Sequence, residues 1–232
     1  DHNPQLSALR ERGPVLKGSV RELLGLPEHK RYRHDVEYPT YSALGFNAVE
    51  TAFRRSGPFS SRISHHPNDN DEQLMGILEM DRKEHLAYRK TLQPMFIKPR
   101  ALSWWRERWI DDIVGELIER LKTQDKAELN IEYCARVPVH TVTRAIGMEG
   151  DNALLFRNAL MRSQGVGQTS REEAEQANRL VYRMLHDLIA ERRRNPAEDV
   201  VSGLIGATLK LPNGPERPLN DNEIANNARL VM

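Results

Sequence analysis

Cysteine is nearly missing from this sequence, since Cys134 is the one cysteine among 232 residues. A single thiol excludes an internal disulfide framework, and it excludes zinc or iron–sulfur sites that need several cysteines of this chain. Neither sign of charge is in excess, because 34 basic and 33 acidic residues leave a net charge of +1, which disfavours binding to nucleic acid. No apolar run approaches the ~18 residues of a transmembrane helix. We therefore expect a cytoplasmic protein that binds neither nucleic acid nor membrane.

Helical patterns dominate what is present. After Pro99 an apolar stripe recurs every four residues, and it consists of Trp105, Trp109, Ile113, Leu117 and Leu121. Further helices are predicted over residues 151–163, from 171 to the Asn195-Pro196 stop, and over 199–209. A short strand and a helix are predicted after Tyr41. Residues 1–40 are expected to be mostly irregular, although Val20 to Leu26 can form a short helix closed by Gly25 and Pro27. The sequence thus predicts a mainly α fold with a small β component.

Two helix starts carry a capping box, in which a short polar side chain and a glutamate three residues later each bind the other's backbone N–H. Ser170 and Glu173 form one such pair, and Asn220 and Glu223 form the other. The second pair opens a helix that reaches Leu230-Val-Met without a glycine or polar cap. From that ending we expect the chain to be a fragment of a longer protein.

The segment from Asp81 to Phe96 carries the clearest candidate site. Asp81 and Glu84 predict a third capping box, and His85 and Arg89 follow at positions i and i+4, where Cβ atoms stand roughly 5 to 6 Å apart on one helix face. Apolar packing beside them is expected from Leu86, Leu92 and Phe96. The two nitrogen-bearing side chains can converge on an anion, although a solvated helix face is the alternative interpretation.

From about residue 41 to 232 the order of elements resembles the N-terminal part of a bacterial cytochrome P450. The strongest match is to the C-helix text of that family, which corresponds to Asp81, Glu84, His85, Arg89 and Phe96 of this sequence. Supporting matches are Phe59-Ser-Ser-Arg, Val137-Pro-Val with Ile146-Gly-Met, Asp199-Val-Val-Ser-Gly-Leu-Ile, and Leu219-Asn-Asp-Asn-Glu-Ile at the start of the I helix. Their order and spacing make the resemblance specific.

The resemblance implies a cytochrome P450-like helical fold, incomplete in this chain, with residues 1–232 as the N-terminal portion of a single domain through the start of the I helix. It implies a haem-thiolate monooxygenase that oxidises a small apolar molecule with O2 and electrons from a ferredoxin or reductase. His85 and Arg89 would bind the haem propionates. Ile77 and Leu78 would line the haem or substrate cavity, with plain core packing as the alternative.

The family's iron-ligating cysteine lies in a later segment, and Cys134 lacks the glycine-rich loop of that ligand. We interpret Cys134 as a small buried apolar residue, and we expect neither a catalytic residue nor a metal ligand in this chain, which alone should be inactive. Lys83 and Lys90 are candidates for docking an acidic ferredoxin, or else ordinary solvated charges. The alternative function is a non-enzymatic helical binding or regulatory module without haem.

Three further features favour structural explanations. His65 and His66 with Asp69 and Asp71 lack the spacing of a metal site, so a solvated loop is expected. The break at Gly165-Val-Gly167 resembles the family's lid over the substrate pocket, and a simple interhelical turn explains it equally well. The Arg192-Arg-Arg run is expected to be a solvated helix end, favoured by the helix dipole.

Overall fold

The computed structural model describes residues 3–27, 39–55, 57–61, 76–97, 99–164 and 170–230. The proposed lid at Gly165-Val-Gly167 and the loop with His65, His66, Asp69 and Asp71 lie outside these residues. The chain divides into two units, Asp1–Asn68 and Asp69–Met232. That residues 1–232 belong to one domain stays a prediction.

The described residues of the first unit form three helices and a two-stranded sheet. The helices are α1 Pro4–Arg12, α2 Val20–Leu23 and α3 Phe46–Arg54, and antiparallel strands β1 Val15–Lys17 and β2 Tyr41–Ala43 form the sheet. The strand and helix predicted after Tyr41 are therefore confirmed, and so is the short helix predicted within residues 20–26, whereas α1 and β1 lie where irregular structure was expected. The signals for α1 are the side-chain cap from Asn3, Pro4 in the first turn and Gly13 at the end. Residues of these types are typical of helix starts and helix ends.

The second unit is mainly helical, as predicted. Its helices are α4 Arg82–Leu92, α5 Pro99–Trp105, α6 Asp111–Lys122, α7 Arg136–Ile146, α8 Gly150–Ser163, α9 Arg171–Arg194, α10 Val200–Ile205 and α11 Asp221–Leu230. Short 3₁₀ turns cover Gly76–Glu79 and Gln93–Met95, and π-helical turns cover Arg106–Ile110 and Asn130–Cys134. Strands β3 Thr208–Lys210 and β4 Glu216–Pro218 pair antiparallel.

The predicted stripe, which recurs every four residues, lies on one continuous helical run from α5 through the π turn into α6. On a regular α-helix, residues four positions apart differ in direction by about 40°, so such a stripe would rotate around the helix axis. The π turn has more residues per turn and offsets part of that rotation. The rings of Trp104 and Trp109 lie 4.7 Å apart in an edge-to-face contact, and the indole N–H of Trp105 donates to the Met95 carbonyl at 2.7 Å. Ile113 and Leu117 continue the buried side.

The core lies where α8, α9, α10 and α11 pack together with α6 and α7. Fully buried members of this core are Ile113, Ile146, Phe156, Val181, Leu185, Ile189, Val200, Val201, Leu204 and Ile224. Side chains of α4, Tyr88 and Leu92 among them, belong to the same cluster. This packing places the predicted site helix on the core of the second unit.

The β3–β4 hairpin was not predicted, because residues 199–209 were expected to be helical throughout. The helix α10 ends at Ile205, and Leu209 enters the core from β3 with no measurable exposure. The turn contains Pro212-Asn-Gly, and Asn-Gly is a strong hairpin signal. A strand of three residues is too short to show a pattern of alternation.

Candidate functional site

The helix that carries the site, α4, begins without the predicted capping box. Asp81 stands at the N-cap with extended backbone, but its side chain makes no capping hydrogen bond. Arg82, the first helical residue, has a φ of 50°, which turns the chain out of the geometry that lets the N-cap oxygen reach the third residue's N–H. Asp81 and Glu84 each make an interaction, but without the bond from the Asp81 side chain the reciprocal box is incomplete, and the prediction of a box at this helix start is wrong.

His85 and Arg89 lie one turn apart on α4, as predicted from their spacing. The His85 ring is half-buried and the Arg89 side chain is exposed. At about 100° per residue, His85, Arg89 and Leu86 fall within one sector about 100° wide, and buried Tyr88 and Leu92 lie outside that sector. The helix therefore holds the donor pair beside its buried face.

The sector of α4 that carries this pair combines hydrogen-bond donors with apolar surface. Among the residues that the structure describes, neither the His85 ring nor the Arg89 guanidinium has a hydrogen-bond or ion-pair partner. Leu86, expected to pack, is instead 48% exposed in the same sector. Imidazole and guanidinium N–H groups are donors suited to carboxylates, and Leu86 adds apolar surface beside them.

A polar cluster that the sequence did not predict lies on the buried side of α4, next to this pair. The Tyr88 hydroxyl donates to Glu223 of α11, and Arg217 of β4 forks onto the same carboxylate with two bonds of 2.7 Å. The predicted box at α11 is confirmed, since Glu223 also accepts from the Asn220 N–H at 2.8 Å and donates its own N–H to the Asn220 side chain. No local sequence signal joins Tyr88 to Glu223, which lies 135 positions later.

The cluster shifts the ionisation of its members. Burial raises the pKa of Tyr88, and the Glu223 carboxylate raises it further. Burial also acts to raise the pKa of Glu223, but the bonds from Arg217, Tyr88 and the Asn220 backbone outweigh it, and the net shift is downward. A neutral phenol therefore donates to a charged carboxylate at neutral pH.

The remaining predicted residues occupy different environments. Ile77 is half-buried and packs against the core cluster, whereas Leu78, next to it in the 3₁₀ turn, is 56% exposed. Lys83 and Lys90 are exposed on α4. Cys134 is exposed as well, so the prediction that it is buried is wrong. Its π turn lies at the surface, where nearby Ile131 is 63% exposed.

The described ranges also bear on metal sites and on membrane-spanning helices. No group of three or more histidine, cysteine, aspartate or glutamate side chains there is placed to hold a metal ion. Within the same ranges, no helix combines the length and the apolar content that crossing a membrane requires.

Comparison with known proteins identifies the relatives of this chain. The mycinamicin IV hydroxylase/epoxidase of Micromonospora griseorubida is 28% identical over 167 residues, covering 71% of this chain and 41% of that protein. The epothilone C/D epoxidase of Sorangium cellulosum is 25% identical over 216 residues, covering 89% of this chain and 49% of that protein. The chain thus spans about half the length or less of these curated relatives. No protein-family model matches it.

A solved structure shows the same fold. Cytochrome P450 PksS of Bacillus subtilis superposes with a TM-score of 0.75 over 99% of this chain and 54% of that one, at 21% sequence identity. The resemblance drawn from the C-helix and I-helix texts is therefore confirmed. The curated relatives of this chain are bacterial cytochrome P450s, and the chain itself has the fold of about half a cytochrome P450.

Proposed function

We propose that the intact protein containing this chain is a haem-thiolate monooxygenase that oxidises a small apolar molecule with O2. Support comes from the fold and from relatives named as a hydroxylase/epoxidase and an epoxidase. Haem, when bound, supplies the chemistry of oxygen activation, and its cysteine ligand belongs to a segment outside this chain.

In this proposal His85 and Arg89 hold the two haem propionates. The observation that carries it is the placement of two donors, with no partner among the described residues, in one sector of α4 next to exposed Leu86. A guanidinium can fork onto a carboxylate and stays charged at any working pH. Hydrogen bonds to charged groups are worth about 1.5 to 3 kcal/mol each, so these residues would retain and orient the haem.

Further roles follow from the same placement. Ile77 and Leu78 precede α4, and we assign them to the wall of the haem or substrate cavity, with exposed Leu78 as the side chain that faces it. Exposed Lys83 and Lys90 would attract an acidic ferredoxin that delivers electrons. We place the protein in the cytoplasm, where a single free thiol stays reduced.

The test of this function is haem retention in the intact protein. Arg89→Ala should speed the transfer of haem to excess apomyoglobin by about tenfold, because roughly 1.4 kcal/mol of binding free energy corresponds to that factor. The matched control is Lys90→Ala, an exposed cation at the next position, which should leave the rate unchanged. Unchanged transfer for Arg89→Ala would refute the propionate role. A purified protein without haem would favour the alternative of a binding or regulatory module.

A further inference from the structure

Tyr88 lies on the buried side of α4, directly before Arg89 and three residues after His85. Its side chain is 5% exposed, and its hydroxyl donates to Glu223 in the first turn of α11. A phenylalanine would fill the same space, since the ring already belongs to the apolar core. The hydroxyl therefore serves the hydrogen bond rather than the packing.

The acceptor of that bond is held from several directions. Both nitrogens at the end of the Arg217 guanidinium donate to the Glu223 carboxylate at 2.7 Å, and the Asn220 N–H donates at 2.8 Å. The Glu223 side chain is 14% exposed and that of Arg217 is 38% exposed. A bidentate pair combined with a backbone donor leaves the carboxylate little freedom to rotate.

The bond ties α4 to an element that it otherwise touches little. The main packing neighbours of α4 are β3 and the 3₁₀ turns on either side of it. The Thr91 hydroxyl lies between the Ala87 carbonyl of its own helix at 3.1 Å and the Thr208 carbonyl of the hairpin at 3.2 Å, and its one proton is shared between these acceptors. Because an α-helix is stiff over two turns, fixing Tyr88 also fixes the direction of His85 and Arg89.

We propose that the cluster of Tyr88, Glu223 and Arg217 is a positioning device, which sets the orientation in which α4 presents His85 and Arg89 to an anionic ligand. This inference rests on the proposed role of those two residues at the haem propionates. Tyr88 touches no ligand itself and acts through His85 and Arg89.

The experiment compares Tyr88→Phe in two backgrounds of the intact protein, the wild type and Arg89→Ala, and measures haem transfer to apomyoglobin. In the wild-type background we expect transfer to become about three- to tenfold faster, because part of one charge-assisted hydrogen bond is lost from the site. In the Arg89→Ala background we expect a clearly smaller acceleration, because only His85 is left for the cluster to position. Such non-additivity is the signature of coupled residues.

Two additional variants separate positioning from general loosening. Glu223→Gln, which weakens the same cluster from the other side, should reproduce the dependence on Arg89. Asp221→Asn is the control, since Asp221 lies in the same first turn of α11 but pairs with exposed Arg193, and it should leave haem transfer unchanged.

Each other outcome has a distinct meaning. An equal acceleration by Tyr88→Phe in both backgrounds would show a purely structural role and overturn the inference. The same holds if Tyr88→Phe has no effect while Arg89→Ala speeds haem loss, and in that case the proposed function stands. If Arg89→Ala itself has no effect, the propionate role fails and the inference fails with it.

Discussion

Gly147 ends α7 with a φ of 92°, and side chains from two other segments fill the space beside its Cα. A Cβ at this position would lie 2.5 Å from the Asp199 carboxylate and 2.6 Å from the Arg192 guanidinium. Those two groups are joined by a 2.5 Å bond, and the Asp199 side chain is only 6% exposed. The prediction that the arginine run is simply solvated is therefore wrong for Arg192. Its partner Asp199 lies seven positions later, beyond the helix end at Asn195-Pro196, so helical spacing does not indicate the pair.

Gly147→Ala should destabilise the fold by about 2 kcal/mol or more, because it combines an unfavourable positive φ with a clash against a buried ion pair. Urea unfolding of the intact protein measures this loss. The matched control is Gly115→Ala in α6, where a Cβ meets nothing within 4 Å, so a gain of about 0.5 to 1 kcal/mol is expected from helix propensity. Equal effects of the two substitutions would contradict this account of Gly147.

Helix starts show how far local sequence determines an element. The boxes at Ser170 and at Asn220 form as predicted, because each depends on atoms within four residues. The box at Asp81 does not form, since Arg82 adopts a left-handed conformation that no local pattern specifies. The β3–β4 hairpin escaped prediction because its strands are short and because Leu209 stabilises it by packing in the core.

Ser170→Ala should lower the free energy of unfolding by about 1 kcal/mol, because the first turn of α9 loses an N–H acceptor. The Ser170 hydroxyl oxygen accepts from the Glu173 N–H at 3.2 Å. Ser170→Thr keeps the oxygen and serves as the control, with a change of a few tenths of a kcal/mol expected. Urea unfolding distinguishes the two, and an Ala variant as stable as the Thr variant would show that the cap contributes nothing.

At the scale of the whole molecule, the site helix depends on a tie between segments far apart in sequence. The His85 and Arg89 pair was predictable, because i and i+4 spacing on a helix is a local property. The cluster of Tyr88, Arg217 and Glu223 was not, because it joins α4, β4 and α11, which lie far apart in the sequence. Side-chain exposure could not be predicted from local sequence either, since Leu86 and Cys134 are exposed where packing and burial were expected.

The same tie predicts a pH dependence of stability. The folded-state pKa of Glu223 is lowered from 4.5, so its contribution is present above about pH 4.5 and is lost as the pH falls further. The pKa of Tyr88 is raised from 10.0, so its contribution is present below about pH 10 and is lost as the pH rises. The difference in unfolding free energy between wild type and Glu223→Gln should therefore shrink in acid.

Urea unfolding at a series of pH values measures these differences, with Tyr88→Phe as the companion variant. Its difference from wild type should shrink above about pH 10. A difference for Glu223→Gln that stays constant from pH 7 to pH 3 would contradict the assignment of a charged, hydrogen-bonded carboxylate to this cluster.

We propose that the intact protein is a haem-thiolate enzyme, and the spectrum of its reduced complex with carbon monoxide tests this proposal most directly. We predict the red-shifted Soret band typical of thiolate-ligated haem, in an amount close to one haem per protein. A protein that contains no haem, or one whose reduced carbon monoxide complex lacks that band, would contradict the claim.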